Sequence, residues 1–289
     1  MDASIVIVSW RVKEQLRACL NSVFDKTQNL EFEVFVVDNS SNDGTLKMVQ
    51  EEFPKVHCIS NSENNGFSKA CNQAIKKSHG EYILLLNPDT ILLENSIQKT
   101  VLFMNKTPDA GIVGCRIKNQ DGSHQPSVRR FPDFLSHFLL LLKIHHFFPE
   151  LAPFRRYYNQ NFNYSKTQPV DQVMGSFYMI RREVLKKIGL LDDHFFIWYE
   201  EVDLCKRLTQ SQWNTYYFAG TTIQHQKAAS FSQQKATTKQ LIFNRSLLYY
   251  FFKHKSVFLY FGLLFVYPIS IFLAVGVQLF KLKKINKFL

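Results

Sequence analysis

Oxygen-bearing side chains follow two apolar runs in the first third of the chain. Asp38 comes directly after one run, and Asp89 ends the segment LLLNPD, in which Asn87 supplies a second oxygen. Carboxylate and amide oxygens at strand ends suit a hard divalent cation that leaves coordination positions for substrate phosphates. The alternative for Asn87–Asp89, taken alone, is an ordinary turn stiffened by Pro88.

A glycine turn and two amides precede this segment. Asn65 and Gly66 stand before a stretch whose apolar spacing predicts a helix, and Asn72 lies within that stretch. The N-terminus of a helix presents unpaired N–H groups that favour phosphate. The pattern therefore predicts a binding site for a phosphorylated substrate close to Asp89.

A cluster of acids at Glu200, Glu201 and Asp203 directly follows the aromatic run 195–199. A carboxylate held beside apolar surface has a raised pKa, towards the range useful for a general base. The alternative is a helix N-terminus enriched in acids because of its dipole. His225 stands apart, and it is either a structural histidine or a ligand of a nearby metal.

The elements that must position these residues alternate between strand and helix. The predicted strands cover 4–9, 32–37, 56–60, 82–86, 110–115, 173–181 and 214–218, and the predicted helices cover 13–24, 45–53, 68–78, 96–105, 182–188 and 200–209. Short connections between alternating elements predict an α/β fold with a mostly parallel sheet covered on both faces. Such sheets bind ligands at the carboxyl ends of their strands, where Ser9, Asp38 and Asp89 fall.

Composition limits the class of protein. The chain has 289 residues, 46% of them hydrophobic, which is enough for a sizeable core and for one large domain or two small ones. The 5 cysteines form no CxxC pair, which argues against a disulfide framework or a thiolate zinc site and indicates a reducing compartment. The opening MDASIVIVSWR has no basic region before its apolar run, so we expect a first strand there and no signal peptide.

The net charge of +11 lies in the C-terminal part of the chain. After Asp203 there are 12 basic residues and no acidic one, and the uncharged apolar run 257–280 falls among them. About 20 apolar residues cross a bilayer, and flanking lysines attract anionic lipid, so we expect membrane association rather than nucleic-acid binding. The alternatives are a buried core helix and, given Pro268, a re-entrant or interfacial hairpin.

The remaining segments lead to a predicted division of the chain into two parts. The apolar segment 134–148 is too short to span a membrane and predicts an interfacial helix or a lid. We expect a catalytic domain over residues 1–230 and a membrane-associated tail over 231–289. The tail should carry a basic face, formed by Lys227, Lys235, Lys239, Arg245, Lys253 and Lys255.

Five motifs together resemble a known family. They are SIVIVSW, VFVVDNSSNDGT, NNGFSKACNQAI, YILLLNPDT and MGSFYMIRREVLKKIGLLDDHFFIWYEEVDLCKRL. Their order and spacing over about residues 3–230 are similar to those of family 2 glycosyltransferases with the GT-A fold, a Rossmann-like arrangement. Within the family the chain most resembles bacterial rhamnosyltransferases of O-antigen and surface polysaccharide synthesis, through SVRRFP at 127–132 and FFIWYEEVDLCKR at 195–207.

The resemblance implies roles for the donor-binding residues. Asp38 would contact the nucleotide base, with Ser9 lining the same pocket. Asn87–Asp89 stands where the family has its DxD motif, so that Asp89 would hold Mg²⁺ or Mn²⁺ on the donor diphosphate and His225 would complete the metal site. Asn87 departs from the family pattern, which has an acid there.

The resemblance also implies the base. Glu200 and Glu201 stand where the family has a Glu-Asp pair, and Glu201 would deprotonate the acceptor hydroxyl. Glutamate in place of the commoner aspartate adds one methylene of reach.

The implied function is inverting transfer of a sugar from a nucleotide-sugar donor. The donor would be a dTDP- or UDP-sugar, with dTDP-rhamnose favoured, and the acceptor a polyprenyl-diphosphate-linked or polysaccharide glycan at the cytoplasmic face of the bacterial inner membrane. One alternative is a metal-dependent nucleotidyltransferase, although residues 9–11 (SWR) offer no glycine-rich phosphate loop. The other is a non-catalytic membrane scaffold, which the retained Asp38, Asp89 and Glu201 oppose.

Overall fold

The computed structural model describes residues 1–226 and 234–285, with side chains described as far as residue 276. Lys227 of the expected basic face lies outside the described residues. The strands, in chain order, are β1 Ala3–Ser9, β2 Phe32–Asp38, β3 His57–Ser60, β4 Tyr82–Leu86, β5 Thr90–Leu92, β6 Ala110–Lys118, β7 His124–Gln125, β8 Val128–Arg129, β9 Gln168–Val170, β10 Gln172–Val173, β11 Phe177–Arg181 and β12 Asn214–His225.

The helices include every one that the apolar spacing predicts. They are α1 Lys13–Lys26, α2 Thr45–Glu52, α3 Phe67–Ile75, α4 Ser96–Lys106, α5 Phe134–Leu141, α6 Ala152–Tyr157, α7 Arg182–Ile188, α8 Glu200–Leu208, α9 Ala236–His254 and α10 Val257–Ile285, with a 3₁₀ turn at Ile144–His146.

The main sheet has the strand order β3-β2-β1-β4-β11-β6-β12-β5. β3, β2, β1 and β4 run parallel to one another, and β12 is parallel to β6. β11 lies between β4 and β6 and is antiparallel to both. This mostly parallel sheet with helices on its faces confirms the predicted fold class.

Alternation along β1 shows why the sheet is covered on both faces. Ala3, Ile5 and Ile7 belong to one apolar cluster, whereas Val6 and Val8 belong to another. Successive side chains of a strand point to opposite faces, so the two clusters are the two layers between the sheet and its helices. A strand buried on both faces requires the continuous β-branched run that the sequence shows.

Two strands differ from their predicted bounds. The predicted strand 173–181 is interrupted after Val173, and residues 174–176 separate β10 from β11. β12 continues beyond the predicted end at Phe218 through a register shift between Phe218 and Thr222, and it reaches His225. The extension matters because it pairs His225 with Thr90, beside Asp89.

The C-terminal helices pack on the α/β part of the chain. Leu247, Tyr250 and Phe251 of α9 share a buried cluster with Phe195 and Tyr199 and with Leu263 and Val266 of α10. α10 runs through Pro268 as one helix, so no hairpin forms there. The residues 257–276 form a helix long and apolar enough to cross a membrane.

The opposite face of α10 is exposed. Phe258, Phe265 and Phe272 are 82%, 79% and 78% exposed. A buried core helix would cover these rings, so α10 is not one in this structure.

Candidate functional site

One cavity of about 350 Å³ gathers most of the predicted site residues at the carboxyl ends of β1 and β4. Six of the ten are in its wall: Gly66, Asn87, Asp89, Glu200, Glu201 and His225. The position is the one expected for ligand binding to a sheet of this kind.

Asp89 and His225 meet at one part of this wall. Their side chains are almost fully buried, and His225 Nε2 lies 3.3 Å from Asp89 Oδ1. Asn87 Nδ2 lies 3.2 Å from the same His225 nitrogen, and the other ring nitrogen, Nδ1, contacts the Gln125 amide at 3.2 Å. Gln125 therefore fixes the orientation of the ring, as a second layer around a metal ligand does.

The Asp89 carboxylate and the His225 imidazole are suitable ligands for a divalent cation that also binds substrate. Adjacent ligands in an octahedral site with bonds of about 2.1 Å lie about 3.0 Å apart, close to the Asp89–His225 separation. Among the described residues no group of three or more His, Cys, Asp or Glu side chains could hold a metal ion. Two side chains would leave the remaining positions to phosphate oxygens and water.

Glu200 and Glu201 begin α8 at another part of the cavity. The two residues before them, Trp198 and Tyr199, have φ angles of 66° and 73°, in the left-handed region that bulky side chains rarely adopt. Such strain persists only where surrounding contacts hold it. Tyr199 is buried against Tyr250 of α9, which supplies such a contact.

Burial sets the protonation of both glutamates. Burial raises the pKa of Glu200 well above its ordinary value, and the neighbouring Glu201 raises it further. Burial also raises the pKa of Glu201, while the positive charge of Arg129 opposes that rise. The Oε2 atoms of both residues are buried without a hydrogen-bond partner among the described residues. Glu201 is thus the member of the pair that ionises more readily.

Ser9 and Asp38 are buried beside the cavity without lining it. Asp38 Oδ2 accepts a hydrogen bond of 3.1 Å from the backbone N–H of Ser41, and the Ser41 hydroxyl also donates to Asp38. Ser9 Oγ is buried without a hydrogen-bond partner among the described residues. Their neighbours Trp10 and Asn39 reach the cavity instead.

Asn65 and Asn72 do not reach the cavity either. Asn64, the residue before Asn65, lines it and accepts a hydrogen bond of 3.0 Å from the backbone N–H of Gly66. Asn72 is buried, and its amide donates to Leu191 O at 2.8 Å and to the Asp193 carboxylate. The structure therefore places Asn72 as a tie between α3 and the loop after α7.

Arg129 and Trp198 are two of the cavity residues that were not predicted to form the site. Arg129 of β8 lines the cavity and lies over the rings of Tyr157 and Tyr158, at 5.9 and 5.5 Å from their centroids. Trp198, two residues before the start of α8, also lines it. Arg129 stands in a two-residue strand, and no local pattern marks it beyond the SVRRFP likeness.

Comparisons with known proteins agree with this arrangement. The model of glycosyl transferase family 2 matches residues 4–189. The N-acetylglucosaminyl-diphospho-decaprenol L-rhamnosyltransferase of Mycobacterium tuberculosis is 28% identical over 215 residues, covering 71% of this chain and 69% of that protein. Rhamnosyltransferase WbbL of Escherichia coli is 25% identical, covering 71% of this chain and 76% of that protein.

Solved structures share the fold. The mannosyltransferase PcManGT from Pyrobaculum calidifontis, in complex with GDP-Man and Mn²⁺, superposes with a TM-score of 0.58 at 14% identity, covering 95% of this chain and 73% of that one. S. aureus TarS 1–349 in complex with UDP gives a TM-score of 0.56 at 15% identity, covering 87% and 66%. These similarities confirm the GT-A fold expected from the motifs.

Proposed function

The chain belongs to glycosyl transferase family 2, and we propose that it transfers a sugar from a nucleotide-sugar donor to an acceptor hydroxyl with inversion of configuration. The observation that carries the proposal is a single cavity lined by the Asp89–His225 pair and by Glu200 and Glu201, each of which has a buried carboxylate oxygen. The pair suits a donor diphosphate with its cation, and the glutamates suit the removal of a proton.

Asp89 and His225 would hold the divalent cation, Mg²⁺ or Mn²⁺. The bound cation supplies charge neutralisation to the departing nucleoside diphosphate. Gln125 holds the His225 ring in place, and Asn87 stands beside its other nitrogen. The Mn²⁺ in the PcManGT complex supports a cation in this fold.

Glu201 is the proposed base. Its raised pKa brings it closer to neutrality, where a base removes a proton most effectively. Glu201 accepts the acceptor's proton as that oxygen attacks the anomeric carbon from the face opposite the leaving diphosphate. One displacement of this kind inverts the configuration, by the geometric logic that distinguishes inverting glycosidases.

The proposed donor is a dTDP-sugar, with dTDP-rhamnose first and UDP-sugars second. Both relatives described above are named as rhamnosyltransferases, which supports rhamnose. The name of the mycobacterial relative specifies a glycosylated diphospho-decaprenol acceptor. We therefore propose a polyprenyl-diphosphate-linked glycan as the acceptor.

Such an acceptor requires catalysis at a membrane, and α10 is the proposed contact. One face of α10 packs on the protein through Leu263 and Val266, whereas Phe258, Phe265 and Phe272 are exposed. A helix with one packed and one apolar exposed face fits an interfacial position, with its aromatic rings in lipid. The proposed site is the cytoplasmic face of the bacterial inner membrane.

The proposed division is a catalytic domain over 1–230 and a membrane-binding tail over 231–289, with α9 docked on the catalytic fold. The basic face differs from the expected one. Lys253 forms ion pairs with Asp192 and Asp203 at 2.6 and 2.8 Å, so its charge is compensated within the protein and not by lipid headgroups. Lys235 and Arg245 are exposed and remain available to lipid headgroups.

A donor screen on the purified full-length protein tests the function. We expect transfer from dTDP-rhamnose to an isolated lipid-linked acceptor, reversible loss with EDTA, and loss in Asp89→Ala. Full activity of Asp89→Ala would remove this carboxylate from the site. Synthesis of a nucleotide-sugar from nucleoside triphosphate and sugar phosphate would instead indicate a nucleotidyltransferase, and absence of both activities would favour a scaffold.

A further inference from the structure

A second cavity of about 370 Å³ adjoins the first, and Arg129 and Trp198 line both. We call it the basic cavity, because its polar wall is formed by Lys143, His145, His146 and Lys239 together with Arg129. None of the described residues in its wall is acidic. The first cavity, by contrast, contains Asp89 and two glutamates.

Three basic side chains of this cavity, Lys143, His145 and Lys239, form no ion pair with a described carboxylate. Lys143 Nζ donates to the neutral amide of Gln240. His145 Nδ1 is buried without a hydrogen-bond partner among the described residues. Burial lowers the pKa of Lys143 and lowers that of His145 to about 4. A bound anion would reverse both effects, since an opposite charge favours the protonated form.

The other wall of the basic cavity is apolar, and it is formed in part by segment 134–148 and by α10, the helix proposed to bind the membrane. Leu140 of α5 and Ala274 of α10 line it. The same two segments carry exposed aromatic rings nearby in the chain, Phe147 at 77% exposure and Phe272 at 78%. A ligand in this cavity would thus have cationic groups on one side and an apolar surface on the other.

We propose that the basic cavity binds the diphosphate of a prenyl-diphosphate-linked acceptor, whose lipid chain follows the apolar wall towards α10. This inference rests on the proposed function and identifies where its acceptor is held. Lysines and an arginine provide charge-assisted hydrogen bonds to phosphate oxygens. The sugar attached to that diphosphate would extend between Arg129 and Trp198 towards Glu201.

Binding of farnesyl diphosphate to the full-length protein tests the site. Each of Lys143→Gln and Lys239→Gln should weaken this binding by about tenfold, the worth of one charge-assisted contact. Lys239→Arg should retain binding, since it keeps the charge. The matched controls, Lys55→Gln and Lys106→Gln, remove exposed lysines outside the cavity and should leave binding unchanged. Unchanged affinity in both cavity variants would overturn the proposal.

Three related probes separate a lipid diphosphate from free phosphate. Farnesyl diphosphate should bind more tightly than inorganic pyrophosphate, which lacks the apolar chain, than farnesyl monophosphate, which lacks the second phosphate, and than farnesol, which lacks both phosphates. Pyrophosphate binding equal to that of farnesyl diphosphate would overturn the assignment to a lipid.

Donor hydrolysis distinguishes failure of this proposal from failure of the proposed function. The cavity variants should keep donor hydrolysis, because Lys143 and Lys239 do not line the first cavity. If the wild-type protein neither hydrolyses nor transfers from any nucleotide-sugar, while the variants still lose farnesyl diphosphate binding, the function is wrong and the lipid site stands. If the variants transfer sugar normally and bind the lipid unaltered, the function stands and the lipid site is wrong.

Discussion

At the scale of single residues, the raised pKa of Glu201 gives the proposed base a distinct signature. Glu201→Gln keeps the shape of the side chain but cannot accept a proton, so we expect kcat to fall by about 10²–10⁴-fold with donor affinity nearly unchanged. In the wild type, activity should rise with pH through a pKa above the ordinary glutamate value, because the ionised form is the active one. A profile of kcat/KM against pH measures this rise in activity on the acid side.

Glu200→Gln is the matched comparison. Glu200 is buried beside Glu201, and its pKa is raised well above the ordinary value, so it is more often already protonated and then cannot accept another proton. We expect the milder loss for this variant. A severe loss in Glu200→Gln with a mild one in Glu201→Gln would exchange the two roles.

Residue types and spacing predict those side chains that stand at strand and helix ends. Asn87, Asp89, Glu200, Glu201 and His225 occupy such positions, and all line one cavity. Local spacing could not predict Arg129 or Trp198, because their place depends on how distant segments pack. For the same reason it could not show that Asn72 turns towards Leu191, 119 residues further along the chain.

At the scale of elements, Gly66 fixes the contact between α3 and the segment before α8. Its φ angle is +81°, and a Cβ added there would lie 2.5 Å from Phe196 O. The backbone N–H of Phe67 donates to that same oxygen at 2.6 Å. Gly66→Ala should therefore displace residues 196–198 from α3. We expect weaker donor binding and a free energy of unfolding that is lower by about 1–3 kcal/mol. Donor titration and thermal melts measure the two effects.

Gly122→Ala provides the control for backbone strain alone. Gly122 has the same φ angle of +81°, but a Cβ there would meet nothing within 4 Å. Gly122→Ala should lower the free energy of unfolding by about 1 kcal/mol, because alanine is strained in the left-handed conformation, and it should leave donor affinity unchanged. Equal losses in both variants would show that the Phe196 contact is unimportant.

Asp203 joins α8 to α9 and should be a large contributor to stability. Its fully buried carboxylate accepts hydrogen bonds from Arg207 Nε at 2.8 Å and His254 Nε2 at 2.7 Å, and it pairs with Lys253. Asp203→Asn leaves the charges of Arg207 and Lys253 without their carboxylate, so we expect the free energy of unfolding, measured in urea at neutral pH, to fall by about 3–5 kcal/mol. Glu51→Gln, in an exposed pair with Lys47, should cost under about 0.5 kcal/mol.

The pH dependence of this contact follows from the pKa of Asp203. Burial acts to raise that pKa, but the hydrogen bond from His254 and the charge of Arg207 outweigh it, so the folded-state pKa is lowered. The stabilisation is thus complete above the ordinary aspartate pKa and is lost as the pH falls through the lowered value. The difference between wild type and Asp203→Asn should shrink only at acid pH.

At the scale of the whole molecule, the exposed face of α10 provides a cleaner test of membrane binding than truncation. Deleting residues 257–289 removes the apolar run, but it also removes Leu263 and Val266 from a buried cluster. Replacing Phe258, Phe265 and Phe272 with serine changes only exposed rings and should move the protein from anionic vesicles to the soluble fraction.

Flotation with vesicles measures this shift, and donor hydrolysis should survive because the cavity is untouched. Serine at Leu93 and Leu102, exposed at 46% and 49% in the catalytic fold, is the control. Continued binding of the triple variant to vesicles would place the membrane contact elsewhere.

The parallel part formed by β1, β2, β3 and β4 was predictable because each strand has its own apolar pattern, and because a helix follows each of β1, β2 and β3. The position of β11 was not, because an antiparallel strand inserted between β4 and β6 depends on pairings across more than 60 residues. The docking of α9 on α8 likewise depends on Asp203, Lys253 and His254, which lie about 50 residues apart.

That placement of β11 has a consequence for biosynthesis. β4 and β6 leave the ribosome long before Phe177–Arg181, yet they have no direct contact as neighbours in the sheet. In the growing chain, the edges of β4 and β6 that will face β11 therefore stay unpaired until β11 arrives, and non-local pairing of this kind is slow. A nascent protein stalled short of residue 177 should recruit chaperones and aggregate when released, whereas one stalled well past His225 should not.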